Sequence, residues 1–337
     1  MDDTPLDLLC ATDANYAMPL AVALTSVVCN LRKRKRLRIF IIESGISIAI
    51  KTKVETSIRR NTPPGHIVEL HWTVINSRGF DDLPETRTPG GHVSSDTYSR
   101  LLAADVLPPD CERVIYLDAD TIVIGDLADL WSAADRDCAL SAVADGWGTR
   151  VSSQSGSTPP IVFNYRELGI PPERPYFNAG VLVMNLKLWR ERAIGQQVLA
   201  YLRRYHADVV LHDQGGMNAV LHDQWFQLDP RWNQMASILH PRIAAWTAVD
   251  ARQWRTQLDH PLIVHYEGAT KPWHSGFNTP RVSYFDRYWQ KTEFYPGRPV
   301  SSAVWLERLI GVRRYLYLWN FRFFVSGHLR RLIQRKA

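Results

Sequence analysis

Two aspartates one residue apart, Asp118 and Asp120, interrupt an otherwise apolar stretch, with residues 114–117 before them and 121–124 after. Carboxylates are seldom buried without a partner, because desolvating an unpaired charge is costly. In an extended chain residues i and i+2 face the same side, so the pair can converge on one object. A divalent cation such as Mg2+ or Mn2+ suits them, since these ions favour hard oxygen ligands and complete their coordination with bound phosphates. The competing account is a turn in which both carboxylates cap backbone amides. Polar residues recur at the ends of further apolar runs: Asp13 and Asn15, Asp145, Asn178 and His265. In a parallel sheet such ends share one edge and line one cleft.

The elements that must position these residues follow from the apolar pattern. Strands are predicted at 6–12, 37–42, 67–75, 114–117, 139–144, 181–185 and 263–266. Helices are predicted within 17–31 and over 51–60, 94–107, 127–131, 188–206 and 214–221. Pro19 falls in the first turn of the first helix, where proline is tolerated, and the basic run 32–36 is placed at that helix's negative end. Such alternation argues for an α/β fold with a mostly parallel sheet flanked by helices. No G-x-G-x-x-G follows the first strand. Asp13, Asn15 and Tyr16 stand there instead, offering an acceptor, an amide and a ring that can stack on a base. Residues 146–175 are long for a connection and are expected to form a lid or an acceptor-binding wall.

At 337 residues, with 45% hydrophobic and 22% charged residues, the chain suits one large domain with an appendage and is not disordered. Its formal charge of +6 is concentrated. Residues 301–337 hold eight Lys/Arg against one Glu, a local +7 that leaves −1 for the rest, so no nucleic-acid-binding surface is expected. Cys10, Cys29, Cys111 and Cys138 lack zinc-site spacing and fit a reducing compartment. Asp2 and Asp3 replace the basic start of a secretory signal. The apolar run 17–31 is too short and too interrupted to span a bilayer, which points to a cytoplasmic location.

Six blocks, in order, resemble glycosyltransferase family 8, the retaining transferases that include bacterial lipooligosaccharide galactosyl- and glucosyltransferases. They are Ala11-Thr12-Asp13-Ala14-Asn15-Tyr16, Thr97-Tyr98-Ser99-Arg100-Leu101, Tyr116-Leu117-Asp118-Ala119-Asp120, Phe177-Asn178-Ala179-Gly180-Val181, Asp213-Gln214-Gly215-Gly216-Met217-Asn218 and the stretch from His265 to Trp273. The resemblance implies a GT-A fold, a Mn2+ (or Mg2+) ion and a UDP-hexose donor. Carried over position by position, it implies that Asp118, Asp120 and His265 hold the metal, with Ala119 in the same donor-binding turn. Asp13, Asn15 and Tyr16, with the Ala11 backbone, would hold uridine. Gly268 would admit the diphosphate and Lys271 would supply charge to it. Arg100, Asp145, Asn178, Asp213 and Gln214 would surround the sugar, with Gln214, Asp213 and Asp145 as its catalytic group. Ala14 stands where many relatives carry a second aspartate. Front-face attack, with Gln214 supporting the sugar cation, is the favoured route to retention. A covalent intermediate on Asp145 or Asp213 is the rival.

The tail differs in kind. Trp305, Leu309, Val312, Leu316, Trp319 and Phe323 follow alternating four- and three-residue steps, one apolar helical stripe. Arg308, Arg313, Arg314 and Arg322 mix with aromatic residues on the other faces, a composition suited to an anionic headgroup interface. Packing back on the catalytic domain and a dimer contact are the alternatives. The expected division is therefore a catalytic domain over 1–280 and a helical membrane-association segment over 281–337, peripheral on the inner face of the cell membrane. The expected activity is metal-dependent transfer of glucose or galactose from a UDP-sugar to a glycan or glycolipid acceptor in lipopolysaccharide synthesis. The alternative is a catalytically silent sugar-nucleotide-binding or membrane scaffold protein. A nucleotidyltransferase would show a Gly-rich phosphate loop near its start, and none is present.

Overall fold

Near-continuous apolar strands must be covered on both faces, and this requirement organises the chain. The computed structural model describes residues 4–75, 83, 95–146, 149–154, 159–235, 239, 260–268, 270–274, 279–297, 302–312 and 314–319. Strands β1 (Leu6–Asp13), β2 (Arg36–Ser44), β3 (Ile67–Val74) and β4 (Arg113–Leu117) pair in parallel. Beyond β4 the large sheet continues through β6 (Leu140–Ala144), β7 (Phe177–Asn185) and β8 (Trp225–Gln227), in the order β3-β2-β1-β4-β7-β6-β8. Strand β7 runs against both neighbours, and β8 is parallel to β6. The sheet is therefore mostly parallel, with β7 the one reversed strand among the described residues.

A second, three-stranded sheet is made of β5 (Thr121–Val123), β9 (Gln234–Met235) and β10 (Ile263–His265), in the order β5-β10-β9. The second apolar run after the aspartates thus does not continue β4. It leaves the large sheet for the small one, and Asp118, Ala119 and Asp120 form the crossing between the two. Register in the small sheet sets His265 opposite Thr121 on one side and Met235 on the other.

Helices α1 (Ala17–Asn30), α2 (Ile48–Asn61), α3 (Ala103–Val106), α4 (Leu127–Ala133), α5 (Leu186–Glu191), α6 (Ile194–Arg204), α7 (His212–Val220), α8 (Val282–Trp289) and α9 (Ser302–Ile310) flank the sheets. Leu6, Leu8 and Cys10 of β1 pack with Leu20, Leu24 and Val27 of α1, while Leu9 faces the opposite core beside Val198 and Leu202 of α6. That split is the two-residue period of a strand buried on both sides. A third cluster joins Ile122 and Val264 of the small sheet to Val282, Phe285 and Trp289 of α8 and Val304 of α9.

Several elements differ from expectation. The helix foreseen over 94–107 is a 3-10 helix, Ser95–Leu102, running into the short α3. The single helix foreseen over 188–206 is two, broken at Ala193, whose φ of 49° is left-handed. The basic run 32–36 lies beyond α1 rather than in its last turn, where the Asp126 side chain accepts the backbone N–H groups of Arg32 and Lys33. Strand β7 begins at Phe177, four residues before the predicted start.

Candidate active site

The C-terminal ends of β1, β4 and β6 lie on one edge of the large sheet. Because β7 is reversed, its beginning meets that same edge, and this places Asn178 beside Asp145 rather than across the domain from it. The small sheet adds His265 at the end of β10. Asp118, Asp120 and His265 offer ligand atoms that all lie within 4.8 Å of one another. His265 Nε2 is 3.3 Å from Asp120 Oδ1 and 3.8 Å from Asp118 Oδ2.

Three observations fit this cluster to a cation. Asp120 Oδ1 is buried without a hydrogen-bond partner among the described residues, an arrangement that is costly unless something else satisfies it. The donor set of two carboxylates and an imidazole suits Mn2+ better than Mg2+. Gly180 makes the approach possible: a Cβ there would lie 2.2 Å from His265 Cε1 and 2.9 Å from Asp118 Oδ2. Only a residue without a side chain leaves that space.

The surrounding charges are arranged in layers. Lys271 is buried, and its Nζ lies 2.5 Å from Asp120 Oδ2 and donates to the Tyr266 carbonyl at 2.9 Å. Burial pushes the Asp120 carboxyl up, but Lys271 and His265 outweigh it and hold the group well below the usual carboxylate range. Burial lowers Lys271 and His265, and Asp120 more than reverses this, leaving both above their ordinary values. Arg100 is buried rather than an exposed helix arginine. Its guanidinium meets Asp118 Oδ1 and Asp213 Oδ2, each at 2.9 Å, donates to the Ala179 carbonyl, and covers the Tyr116 ring at 4.3 Å. It thereby ties the cation side of the cleft to α7. Burial pushes Asp213 up to about 6 against the pull of Arg100.

On the far side, Gln214 is held from both ends of its amide. Its Oε1 accepts the Ala179 N–H at 2.9 Å, and its Nε2 donates to Asp145 Oδ2 at 3.2 Å and to the Tyr176 hydroxyl at 3.4 Å. Asn178 Nδ2 also donates to Asp145 Oδ2, at 3.0 Å. The proposed uridine end is more open. Asp13 Oδ1 accepts the Tyr16 N–H at 2.9 Å, the cap expected of a bare turn, and Asn15 is exposed. The Tyr16 ring meets Trp273 edge-on at 5.7 Å. Ala11 is partly exposed at the end of β1, Ala119 is buried, and Gly268 is exposed with φ 86°.

Two neighbours of the cluster escaped the sequence pattern. Tyr116 donates its hydroxyl to Asp118 Oδ1 at 2.8 Å. Asn233, only 1% exposed, faces His265 Nδ1 through its Oδ1 at 3.0 Å and donates Nδ2 to Asn178 Oδ1 at 2.9 Å. Its signal is faint, because it ends a four-residue 3-10 helix, Pro230–Asn233, against a two-residue strand. Neither is long enough to show a period.

The profile of glycosyl transferase family 8 matches residues 7–276. The chain belongs to this family. Among curated proteins, it is 26% identical to General stress protein A of Bacillus subtilis, over 84% of this chain and 93% of that protein. It is 25% identical to the lipopolysaccharide 1,2-glucosyltransferase of Escherichia coli K12, over 96% of this chain and 88% of that protein. Among solved structures, it superposes on the galactosyltransferase LgtC bound to donor and acceptor sugar analogues with a TM-score of 0.70 and 27% identity, covering 87% of this chain and 98% of LgtC. The fold is GT-A, and this family 8 protein is a glycosyltransferase.

Proposed function

We propose that this family 8 glycosyltransferase moves glucose or galactose from a UDP-sugar to a glycan or glycolipid acceptor, with retention of configuration, in lipopolysaccharide-type cell-surface synthesis. The observation that carries the reading is the cluster of half-buried Asp118 with buried Asp120 and His265, and Lys271 beside it. These three residues would hold Mn2+ (or Mg2+), which when bound supplies positive charge to a departing diphosphate. The sugars named for the Escherichia coli relative and for LgtC support a hexose donor.

The chain's own residues supply the rest. Lys271, already buried among acceptors, is a point charge for the leaving UDP, and a charge fixed before reaction costs no reorganisation at the transition state. Asp13, Asn15 and Tyr16, beside the Ala11 backbone, form the nucleoside end. Arg100 holds Asp118 and Asp213 in place, so both carboxylates meet the donor already oriented. Asp145 accepts from Asn178 and Gln214, and Asp213 faces Arg100. Carboxylates engaged in this way are better suited to orienting sugar hydroxyls than to forming a glycosyl ester. This supports front-face attack, in which the leaving phosphate takes the acceptor hydroxyl's proton and Gln214 stabilises the sugar cation.

No helix among the described residues is long and apolar enough to cross a membrane. We propose a catalytic domain over 1–280 and a membrane-association segment over 281–337, peripheral on the inner face of the cell membrane, with α8 and the inner face of α9 packed on the small sheet. The stripe foreseen as one face is divided: Leu316 is buried, while Trp305 and Leu309 are 63% and 83% exposed. Phe323 lies outside the described residues. Exposed apolar residues beside a basic segment support docking on anionic lipid.

The test is UDP release from a panel of UDP-hexoses with and without Mn2+. Release from UDP-glucose or UDP-galactose that disappears on chelation is the expected result. No release from any donor, with acceptor and Mn2+ present, would sink the reading.

A further inference from the structure

Hydrogen bonds through the amides of Asn233 and Asn178 and the carboxylate of Asp145 link the cation cluster to Gln214, and their polarity can be read from one end. Gly180 N–H, which can only donate, gives its proton to Asn178 Oδ1 at 2.9 Å. Asn178 Nδ2 then faces the Asp145 carboxylate, which accepts. With Asn178 fixed from both sides, its Oδ1 must also receive Nδ2 of Asn233. The carbonyl oxygen of Asn233 is thereby turned toward His265 Nδ1. An oxygen acceptor there requires a proton on Nδ1. Nε2 faces Asp120 Oδ1 at 3.3 Å and Asp118 Oδ2 at 3.8 Å, and with the proton on Nδ1 a neutral imidazole offers its lone pair there to a cation.

We propose that Asn233 is a positioning residue for both halves of the site: it fixes the His265 tautomer that can ligate a cation and, through Asn178 and Asp145, holds Gln214 in register with that cation. The chain of contacts runs through residues that are 7% exposed or less: His265, Asn233, Asn178 and Asp145. A histidine ligand whose second nitrogen is held by a fixed acceptor is oriented before metal arrives. In this site the same acceptor carries a donor on its other arm. One amide therefore sets the imidazole and the sugar-side carboxylate together. The proposal rests on reading Asp118, Asp120 and His265 as metal ligands, but its first test does not need metal.

The full-length chain, labelled with 15N-histidine and freed of metal, is observed by NMR as pH is raised until the His265 signals stop shifting. His265 is assigned by the signal lost in His265→Ala. The expected signature is a protonated Nδ1 and a bare Nε2. Mn2+ affinity is then measured by electron paramagnetic resonance for the native chain, Asn233→Ala and Asn233→Asp. Asn233→Ala is expected to release the tautomer and weaken Mn2+ binding about 10–100-fold. Asn233→Asp still accepts from Nδ1–H but cannot donate to Asn178, so it keeps the tautomer and near-native Mn2+ binding while kcat falls. A native His265 protonated on Nε2 overturns the proposal. So does an Asn233→Ala chain that melts like the native one with tautomer and affinity unchanged. If the native chain shows Nδ1–H yet takes up no Mn2+, the tautomer lock stands and the metal reading fails.

Discussion

Replacing Gly180 with alanine tests the cation site with one methyl group. The new carbon would lie 2.2 Å from His265 Cε1, whereas carbon atoms rest about 3.5–4.0 Å apart. The imidazole must withdraw by more than about 1 Å, while ligand distances tolerate only about 0.2 Å. His265 therefore cannot ligate alongside Asp118 and Asp120. Disturbing the support of a ligand costs about 10–100-fold in metal affinity, and displacing the ligand itself belongs at the upper end or beyond. The expected loss is at least ~100-fold, or about 2.8 kcal/mol. Overpacking in a strand core also costs about 1–3 kcal/mol of stability, so a thermal melt must accompany the assay. Mn2+ titration by electron paramagnetic resonance, at a temperature where Gly180→Ala is folded, reads the effect directly. A folded Gly180→Ala chain that binds Mn2+ within about threefold of native, well short of that loss, would refute the reasoning.

Three further outcomes are expected. Lys271→Met should lower kcat for UDP-sugar cleavage by about 100-fold, the scale of removing one preorganised charge, while the chain still binds Mn2+; unchanged kcat would remove Lys271 from the leaving-group site. Glu307 concerns stability. It is buried, accepts from the Arg281 N–H and the Ser283 hydroxyl at the start of α8, and burial pushes its carboxyl from 4.5 up to about 7. The folded state thus holds the proton more tightly than the unfolded one. That contribution is whole below pH 4.5 and is lost as pH rises to about 7. Glu307→Gln should flatten the fall. Its urea midpoint relative to native should rise between about pH 5 and pH 8 by an amount worth up to ~3 kcal/mol, and a constant difference would contradict the assignment. Finally, Trp305→Glu with Leu309→Glu should reduce flotation with anionic vesicles without changing cleavage of UDP-sugar in solution. Flotation that persists would take the exposed face of α9 out of the membrane contact.

The repeated pattern of apolar runs ending in polar residues was legible because it is local. A buried parallel strand needs uninterrupted apolar residues, and a carboxylate or amide at its end needs a reason visible within a few positions. β1, β2, β4 and β6 could be read in this way, together with the placing of Asp118, Asp120 and Asp145 at strand ends. What could not be read was direction and sheet membership. Nothing local says that β7 runs backwards, although this is what puts Asn178 at the same edge as Asp145. Nor does the stretch after Asp120 announce that it joins a different sheet, since three apolar residues look alike in either. The split of 188–206 at Ala193 was equally hidden, because the amphipathic period runs on through it.

The amino-acid order alone determined which groups this family 8 glycosyltransferase carries and that they fall at strand ends, since side-chain type and strand period are properties of neighbours along the chain. Only the folded structure decided which atoms face one another. Arg100, expected beside the donor sugar, became in addition a buried link between Asp118 and Asp213. Gly180 acquired its meaning from a histidine 85 positions later. Asn233 became visible only as the acceptor of that histidine. Tertiary contacts of this kind depend on the relative placement of two sheets, and no spacing within one strand or helix encodes it.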